Sequence, residues 1–144
     1  MTERPYLFDE VLIIDDDDLD QASCMRAFKK TNFSRKTISF KTAEAALTFL
    51  THPMSKLPEL LLVDVNIPRI SGLELIERAE ERLMQHGVAV ALLLSCPLPR
   101  KLHRRASEND CISAFLTKPV QDSALLSLAE NTRSRRAPKL SSSI

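Results

Sequence analysis

Polar side chains with related chemistry follow four of the apolar segments in this chain. Asp15 and Asp16 come after the first segment, Asp64 lies near the end of the third, Ser95 follows the fourth and Lys118 the fifth. Carboxylates brought together repel one another unless a cation lies between them, and all-oxygen ligands favour a hard cation such as Mg²⁺. A carboxylate is also a nucleophile toward phosphorus. A lysine ammonium and a serine hydroxyl bind phosphate oxygens. The set predicts a Mg²⁺ site where an aspartate accepts a phosphoryl group.

The apolar segments are predicted to be five short strands: Val11–Ile14, Ile38–Phe40, Leu60–Val65, Val88–Leu94 and Cys111–Leu116. Four of them run almost without polar interruption, which is typical of parallel strands covered on both faces. The segment Ile38–Phe40 and the threonine before it alternate in polarity. This alternation favours a position at the edge of a sheet.

Helical spacing separates the strands. A first helix is expected over Leu19 to Phe28, and Thr42 is the expected N-cap of the second. Gly87 is the expected stop of the third helix, and Pro99 begins the fourth. Strands and helices alternate five times, which predicts an α/β fold with a doubly wound parallel sheet and five helices. Ligands of such sheets bind at the carboxyl ends of the strands, where the polar residues named above are expected to meet.

Composition narrows the class of protein. The 144 residues suit one domain, and 20 Lys and Arg against 19 Asp and Glu give no overall case for nucleic acid or an anionic membrane. The number of cysteines is odd, and no two of them are close in sequence, which argues against disulfides and a zinc site. They are Cys24, Cys96 and Cys111. They are expected to be small buried apolar residues. No signal peptide or membrane-spanning run is recognisable, so a soluble cytoplasmic protein is predicted.

Three regions are expected along the chain. Residues 1–9 form an N-terminal extension, residues 10–132 form the domain, and residues 133–144 form a basic, flexible tail. The fourth helix concentrates positive charge, which suits either an ordinary charged face or a docking surface for an acidic partner. Its basic residues are Arg100, Lys101, His103, Arg104 and Arg105.

The motifs VLIIDD (Val11–Asp16), LLLVDVNIPRISGLELI (Leu60–Ile76), LLLSC (Leu92–Cys96) and FLTKPV (Phe115–Val120) carry a resemblance. From about Glu10 to Asn131, the chain resembles the receiver domain of bacterial two-component response regulators, of the single-domain, chemotaxis-regulator-like kind. The resemblance implies a flavodoxin-like sheet of order 2-1-3-4-5. It also implies a phosphoacceptor protein in two-component or phosphorelay signalling that is not an enzyme beyond its own phosphotransfer and slow autodephosphorylation.

The resemblance assigns the metal site. Asp64 is expected to be the phosphoacceptor, and Asp16 the main acidic Mg²⁺ ligand, with Asp15 helping through water. Asp64 itself is expected to contact the ion, and Asn66 to offer its backbone carbonyl.

The resemblance also assigns the phosphoryl site and the switch. Ser95 is expected to hydrogen-bond the phosphoryl group and Lys118 to pair with one of its oxygens, while Ser95 and Phe115 move as the switch. A phenylalanine beside a strand is as readily a core residue, so both interpretations of Phe115 stay open. The Lys118–Pro119 peptide bond is expected to be cis. The loop after the phosphoacceptor is expected to be shaped by Pro68 and Gly72.

The resemblance implies partners as well. A histidine kinase or a histidine phosphotransfer protein supplies the phosphoryl group, and a downstream protein binds the face made by helix 4, strand 5 and helix 5. No membrane or nucleic-acid partner is expected, and a homodimer is left open.

Other interpretations of the same residues remain. Asp17, Asp18 and Asp20 are interpreted as acids of a helix start, which the helix dipole favours. His52, His86 and His103 are interpreted as surface residues. A receiver that serves only as a non-phosphorylated scaffold is one alternative. A phosphatase of the haloacid-dehalogenase class is another, disfavoured because Asn66 stands where that class needs an acid.

Overall fold

The computed structural model of this chain describes residues 6–136. Five strands alternate with five helices: β1 (Phe8–Ile14), α1 (Asp18–Thr31), β2 (Ser34–Phe40), α2 (Ala43–Thr51), β3 (Leu60–Asp64), α3 (Gly72–Gln85), β4 (Ala89–Leu94), α4 (Arg100–Ser107), β5 (Ile112–Thr117) and α5 (Asp122–Arg136). Every strand and helix predicted from the sequence is present. The largest differences are at the starts of two strands. Strand β1 begins at Phe8 instead of Val11, and β2 begins at Ser34 instead of Ile38.

The strands form a single five-stranded sheet in the order β2-β1-β3-β4-β5. All neighbouring strands are parallel, so the flavodoxin-like order 2-1-3-4-5 is confirmed. Strand β2 lies at one edge, as its alternating pattern predicted, and its residues are half-buried or exposed. In this arrangement the carboxyl ends of β1, β3, β4 and β5 share one edge of the molecule.

Successive residues of the central strands belong to two different cores. Leu12 and Leu61 pack with α2 and α3 on one face of the sheet. Val11 and Leu60 pack with α1 and α5 on the other. Because side chains alternate between the faces of a strand, burial on both faces requires apolar residues at every position. This explains the uninterrupted apolar segments.

The helix ends match the sequence signals. The Thr42 hydroxyl accepts the Ala45 N–H and caps α2, and Pro99 immediately precedes α4. After α3, Gly87 takes φ +63° and the Val88 N–H returns to the Leu83 carbonyl at 2.9 Å. Such a left-handed residue commonly ends a helix, and glycine adopts it without steric cost.

Regular secondary structure extends beyond residues 10–132 at both ends. Strand β1 begins at Phe8, before residue 10, and α5 continues to Arg136. The first four residues of the predicted tail, 133–136, are therefore helical. The rest of that tail and residues 1–5 lie outside the described residues. Across residues 6–136, no helix combines the length and apolar character needed to cross a membrane.

Candidate functional site

The end of β1 places Asp15 in the interior. Asp15 is fully buried, and its backbone N–H donates to the Phe40 carbonyl of β2. The Gln21 amide of α1 donates to the carbonyls of both Asp15 and Phe40. These bonds join β1, β2 and α1 at one point and hold the Asp15 backbone in position.

The Lys118 ammonium lies at the centre of three carboxylates. Its Nζ is 2.8 Å from Asp15 Oδ2, 2.7 Å from Asp20 Oδ2 and 2.9 Å from Asp64 Oδ2. The Lys118 side chain is only 10% exposed and that of Asp64 only 6%, whereas that of Asp20 is 40% exposed. Residues from β1, β3, α1 and the end of β5 therefore converge where parallel α/β sheets bind ligands.

One ammonium does not balance the charge of three carboxylates, and the pKa values of both Asp15 and Lys118 are shifted. Burial raises the pKa of Asp15, and the nearby Asp64 raises it further, against the opposing contact with Lys118 and the Asp17 N–H. Burial alone would lower the pKa of the Lys118 ammonium, but its contacts with the carboxylates outweigh burial and raise it. The excess negative charge favours the binding of a further cation by the cluster.

The donor set fits Mg²⁺. Ligand oxygens of Asp15, Asp20 and Asp64 all lie within 4.8 Å of one another. Asp15 Oδ2 is buried and accepts no hydrogen bond within the described part of the chain, its contact with Lys118 being an ion pair. Carboxylate oxygens are hard ligands, and Mg²⁺ commonly takes one or two of them together with waters.

Two of the predicted metal ligands lie outside this cluster. Asp16 is exposed and is not among the grouped carboxylates of residues 6–136. Asn66 is exposed too, and its backbone N–H donates to Asp64 Oδ1 at 3.0 Å, which orients the Asp64 carboxylate. The roles of Asp16 and of the Asn66 carbonyl as ligands stay predictions.

Sequence reasoning missed the contact of Asp20. Asp17 and Asp18 fit the helix-start interpretation, since Asp17 caps α1 and Asp18 pairs with Lys41 at the surface. Asp20 also lies in the first turn of α1, but its carboxylate reaches Lys118. The signal lies in its spacing, because Cys24, Ala27 and Phe28 at i+4, i+7 and i+8 are the buried residues of α1.

The loop after Asp64 turns tightly back toward the sheet. Arg69 takes φ +72°, the Ile70 N–H donates to the Pro68 carbonyl, and the Gly72 N–H donates to the Val65 carbonyl at 3.0 Å. A Cβ on Gly72 would overlap the Asp64 carbonyl oxygen. The close approach of α3 to the end of β3 therefore requires glycine here.

Ser95 and Phe115 line the same cavity. The cavity of about 350 Å³ is lined by both residues and by Cys96, Pro97, Leu98, His103 and others. Phe115 stacks on the His103 ring of α4 with centroids 5.2 Å apart. His103 is exposed, like His52 and His86, so their interpretation as surface residues is confirmed. The contact between His103 and Phe115 had not been foreseen.

The Lys118–Pro119 peptide bond is cis, as the resemblance implied. The Lys118 N–H donates to the Leu94 carbonyl at 2.8 Å, which extends the pairing of β4 and β5 by one residue. The Lys118 side chain therefore starts from a fixed point of the sheet.

A family model described as the response regulator receiver domain matches residues 11–130. This chain belongs to that family. A solved two-component response regulator from Cytophaga hutchinsonii is 26% identical, with a TM-score of 0.76, over 88% of this chain and 98% of that one. One from Legionella pneumophila is 24% identical, with a TM-score of 0.70 and the same coverage. The two-component response regulator ORR6 of rice (Oryza sativa subsp. japonica) is 25% identical over 85% of this chain and 70% of its own length.

Membership gives the coarse function. Receiver domains are signalling modules of two-component systems rather than metabolic enzymes, and they interact with histidine kinases or phosphotransfer proteins and with downstream targets. They generally bind Mg²⁺ at an acidic pocket, and this chain groups the three aspartates Asp15, Asp20 and Asp64.

The basic surface of this receiver domain is smaller than its sequence suggested. Arg105 donates two hydrogen bonds to Glu77 of α3, so its charge is paired and it anchors α4 to α3. Arg100, Lys101 and Arg104 are exposed on the same helix. These three residues carry the positive charge that α4 presents to solvent.

The cysteines of the receiver domain differ in exposure. Cys24 and Cys111 are buried as expected, but Cys96 is exposed, so its assignment as a buried apolar residue was wrong. Cys96 lies after β4 in the loop that leads to α4, where the strand has left the core. The expectation rested on the general burial of free cysteines, which does not hold for a residue in a loop beyond the strand.

In the native protein at neutral pH, iodoacetamide is expected to alkylate Cys96 well before the other two thiols. Cys24 and Cys111 are buried, so the reagent does not reach their sulfur atoms. Burial also raises the pKa of both thiols to about 11, so very little of either is ionised to the reactive thiolate. Timed quenching and peptide mass spectrometry measure the three rates. Unfolded protein is the control, in which the rates converge. Similar rates in native buffer would contradict the burial of Cys24 and Cys111.

Proposed function

We propose that this receiver domain accepts a phosphoryl group on Asp64, with Mg²⁺ bound, and that the change in charge switches its binding of a partner protein. The observation that carries the proposal is the ammonium of Lys118 lying 2.9 Å from a buried Asp64 carboxylate, with Asp15 beside it. A nucleophilic carboxylate, a fixed cation and an acidic metal pocket are together sufficient for phosphoryl transfer, in which the protein mainly positions groups and neutralises charge.

The metal ligands we propose are Asp15, Asp16 and Asp64, with the backbone carbonyl of Asn66. Bound Mg²⁺ supplies positive charge that offsets the carboxylates and the incoming phosphoryl oxygens. The burial of Asp15 and its raised pKa support a site that gains from a divalent cation. Asp16 directly follows Asp15, and its exposure leaves it free to turn toward an arriving ion.

In the transfer we propose, an oxygen of Asp64 forms a bond to phosphorus while the phosphorus–nitrogen bond of a phosphohistidine breaks. The electron pair of that bond stays with the imidazole nitrogen of the donor protein. The Asn66 N–H holds Asp64 Oδ1, which limits rotation of the nucleophile. Lys118 then pairs with a phosphoryl oxygen, and the Ser95 hydroxyl donates to another.

The switch we propose uses Ser95 and Phe115. Movement of Ser95 toward the phosphoryl group opens space in the cavity that both residues line, and Phe115 turns into it. That motion separates Phe115 from His103 on α4 and changes the face made by α4, β5 and α5. Because Arg100, Lys101 and Arg104 are exposed there, the target we propose for this face presents acidic residues. The free thiols suit the reducing cytoplasm, which is the location we propose.

Incubation with Mg²⁺ and acetyl phosphate is expected to add one phosphoryl group to the protein, read by intact-mass spectrometry. Asp64→Asn is expected to gain none, because an amide is not a nucleophile toward phosphorus at neutral pH. Hydroxylamine is expected to remove the group, since it cleaves acyl phosphates and leaves serine phosphates intact.

Asp110→Asn is the matched control, because it removes one exposed carboxylate near the start of β5, far from the cluster. It is expected to be phosphorylated like the wild type. Addition of a phosphoryl group to Asp64→Asn, or to the wild type without Mg²⁺, would contradict the proposed chemistry. No addition of a phosphoryl group to the wild type, with Mg²⁺ still bound, would favour the non-phosphorylated scaffold.

A further inference from the structure

The carboxylate of Asp20 does not cap the N–H groups at the start of its own helix, α1. Asp20 is the third residue of α1, where an acid often reaches back to the backbone N–H of the N-cap. Here that N–H, of Asp17, already donates to Asp15 Oδ1 at 3.0 Å. The Asp17 carboxylate in turn caps the N–H groups of Leu19 and Asp20. The first turn of α1 is therefore satisfied without the Asp20 side chain.

The Asp20 carboxylate is instead directed at Lys118, 98 residues away in sequence. The distance from Asp20 Oδ2 to Lys118 Nζ is 2.7 Å, the shortest of the three carboxylate contacts of that ammonium. The ammonium donates hydrogen bonds to Asp20 and Asp64 and forms an ion pair with Asp15. Asp20 differs from the other two partners in lying at the rim, with its side chain 40% exposed.

The two inner partners of Lys118 are the ones that a metal ion would take. The Lys118 Nζ lies among carboxylate oxygens of Asp15 and Asp64, where a divalent cation would also lie. Two cations do not share the same oxygens at close range without strong repulsion. When the charge of Asp15 and Asp64 is taken up by a cation, the ammonium loses those two contacts and keeps the rim carboxylate.

We propose that Asp20 is a positioning residue that retains the Lys118 ammonium at the edge of the site when a divalent cation occupies Asp15 and Asp64. The retained ammonium then stands ready for a phosphoryl oxygen. Without Asp20, a lysine side chain with four rotatable bonds regains its freedom once the ion binds. This role rests on the proposed phosphoacceptor function and adds to it a residue that acts through Lys118.

The direct test measures the mobility of the Lys118 side chain by NMR relaxation of its Cε methylene group. The signal is assigned by its absence in Lys118→Met. In the absence of metal, wild type and Asp20→Asn are expected to be similarly ordered, because Asp15 and Asp64 still hold the ammonium. In saturating Mg²⁺, the wild type is expected to stay ordered and Asp20→Asn to become mobile. Asp18→Asn is the matched control, since it removes the same charge from the same turn, where Asp18 pairs with Lys41 at the surface.

The kinetic test uses acetyl phosphate with saturating Mg²⁺. Asp20→Asn is expected to slow phosphorylation roughly three- to tenfold, the factor expected from losing one charge-assisted hydrogen bond at a half-exposed position. In a Lys118→Met background the same substitution is expected to change the rate less than about twofold, because its effect passes through the ammonium.

Two outcomes would overturn the role of Asp20. One is a Lys118 side chain that stays equally ordered in Asp20→Asn and in wild type with Mg²⁺. The other is an equal loss of rate in the presence and absence of Lys118, which would mean that Asp20 acts on the ion. If Lys118 becomes mobile in Asp20→Asn while the wild type takes no phosphoryl group, the proposed function fails and the positioning role stands.

Discussion

Replacing Lys118 by methionine is expected to lower the free energy of unfolding of the metal-free protein by about 3 kcal/mol, the scale for removing one partner of a buried ion pair. Methionine keeps the length of the side chain and removes its charge. The fully buried Asp15 and the nearly buried Asp64 would then face each other with no cation between them. Chemical denaturation in EDTA measures the loss.

The loss of unfolding free energy in Lys118→Met is expected to be smaller in two conditions. Added Mg²⁺ binds the native carboxylates and not the unfolded chain, so it stabilises the variant by mass action. Lower pH acts in the same direction, because burial raises the pKa of Asp15, so the native variant takes up a proton on Asp15 before the unfolded chain does. The loss is therefore full at neutral pH and declines as the pH falls toward the ordinary pKa of aspartate.

Lys30→Met is the matched control for this substitution. Lys30 pairs with Asp122 at 3.4 Å, but its side chain is 73% exposed. A surface pair of this kind contributes at most about 1 kcal/mol, so the control is expected to unfold nearly like the wild type. If the two lysine variants lost the same free energy, Lys118 would not be the counter-charge of the buried carboxylates.

The fold was predictable because its strands are buried on both faces. Nearly every position of such a strand is apolar, so Leu60–Val63 and Ala89–Leu94 stand out from the sequence by composition alone. Edge strand β2 exposes much of each residue, and its first four residues, Ser34–Thr37, carry no apolar signal. That is why its start was placed at Ile38 instead of Ser34.

The site was predictable where it lies on strands and less so where it lies on a helix. A strand end fixes the place of Asp15 and Asp64 to within one residue. The position of an acid around a helix depends on where the helix begins, and a run of four acids before Leu19 hides that point. Leu19 adds to the difficulty because it is apolar but 80% exposed, while the polar Asp20 faces inward.

The contact between Phe115 and His103 was not predictable for a related reason. It joins β5 to α4, and the angle at which a helix packs on a sheet depends on the connecting loop. In that loop Pro97 and Pro99 restrict the backbone, and Arg105 fixes the far end of α4 to Glu77. None of these constraints has a periodic signature in the sequence.

Gly72→Ala is expected to lower the free energy of unfolding by about 3 kcal/mol, the upper range for forcing an extra group into a packed interior. The added Cβ would overlap the carbonyl oxygen of Asp64 and lie 2.9 Å from both Val63 Cγ1 and Val65 Cα. Two of these three neighbours are backbone atoms, which cannot move aside as a flexible side chain can. Relief of the overlap requires the end of β3 to shift, and Asp64 shifts with it.

Gly87→Ala is the control that separates crowding from backbone strain. Gly87 has φ +63° but no atom within 4 Å of an added Cβ, so only the left-handed conformation costs free energy, about 1 kcal/mol. Gly72→Ala is expected to cost more than this and also to slow phosphorylation by acetyl phosphate, whereas Gly87→Ala is expected to leave the rate unchanged. Alanine is the better helix former, so propensity alone would make Gly72→Ala stabilising. A neutral or stabilising result would therefore mean that α3 moves away from β3 freely, and that Gly72 does not fix the position of Asp64.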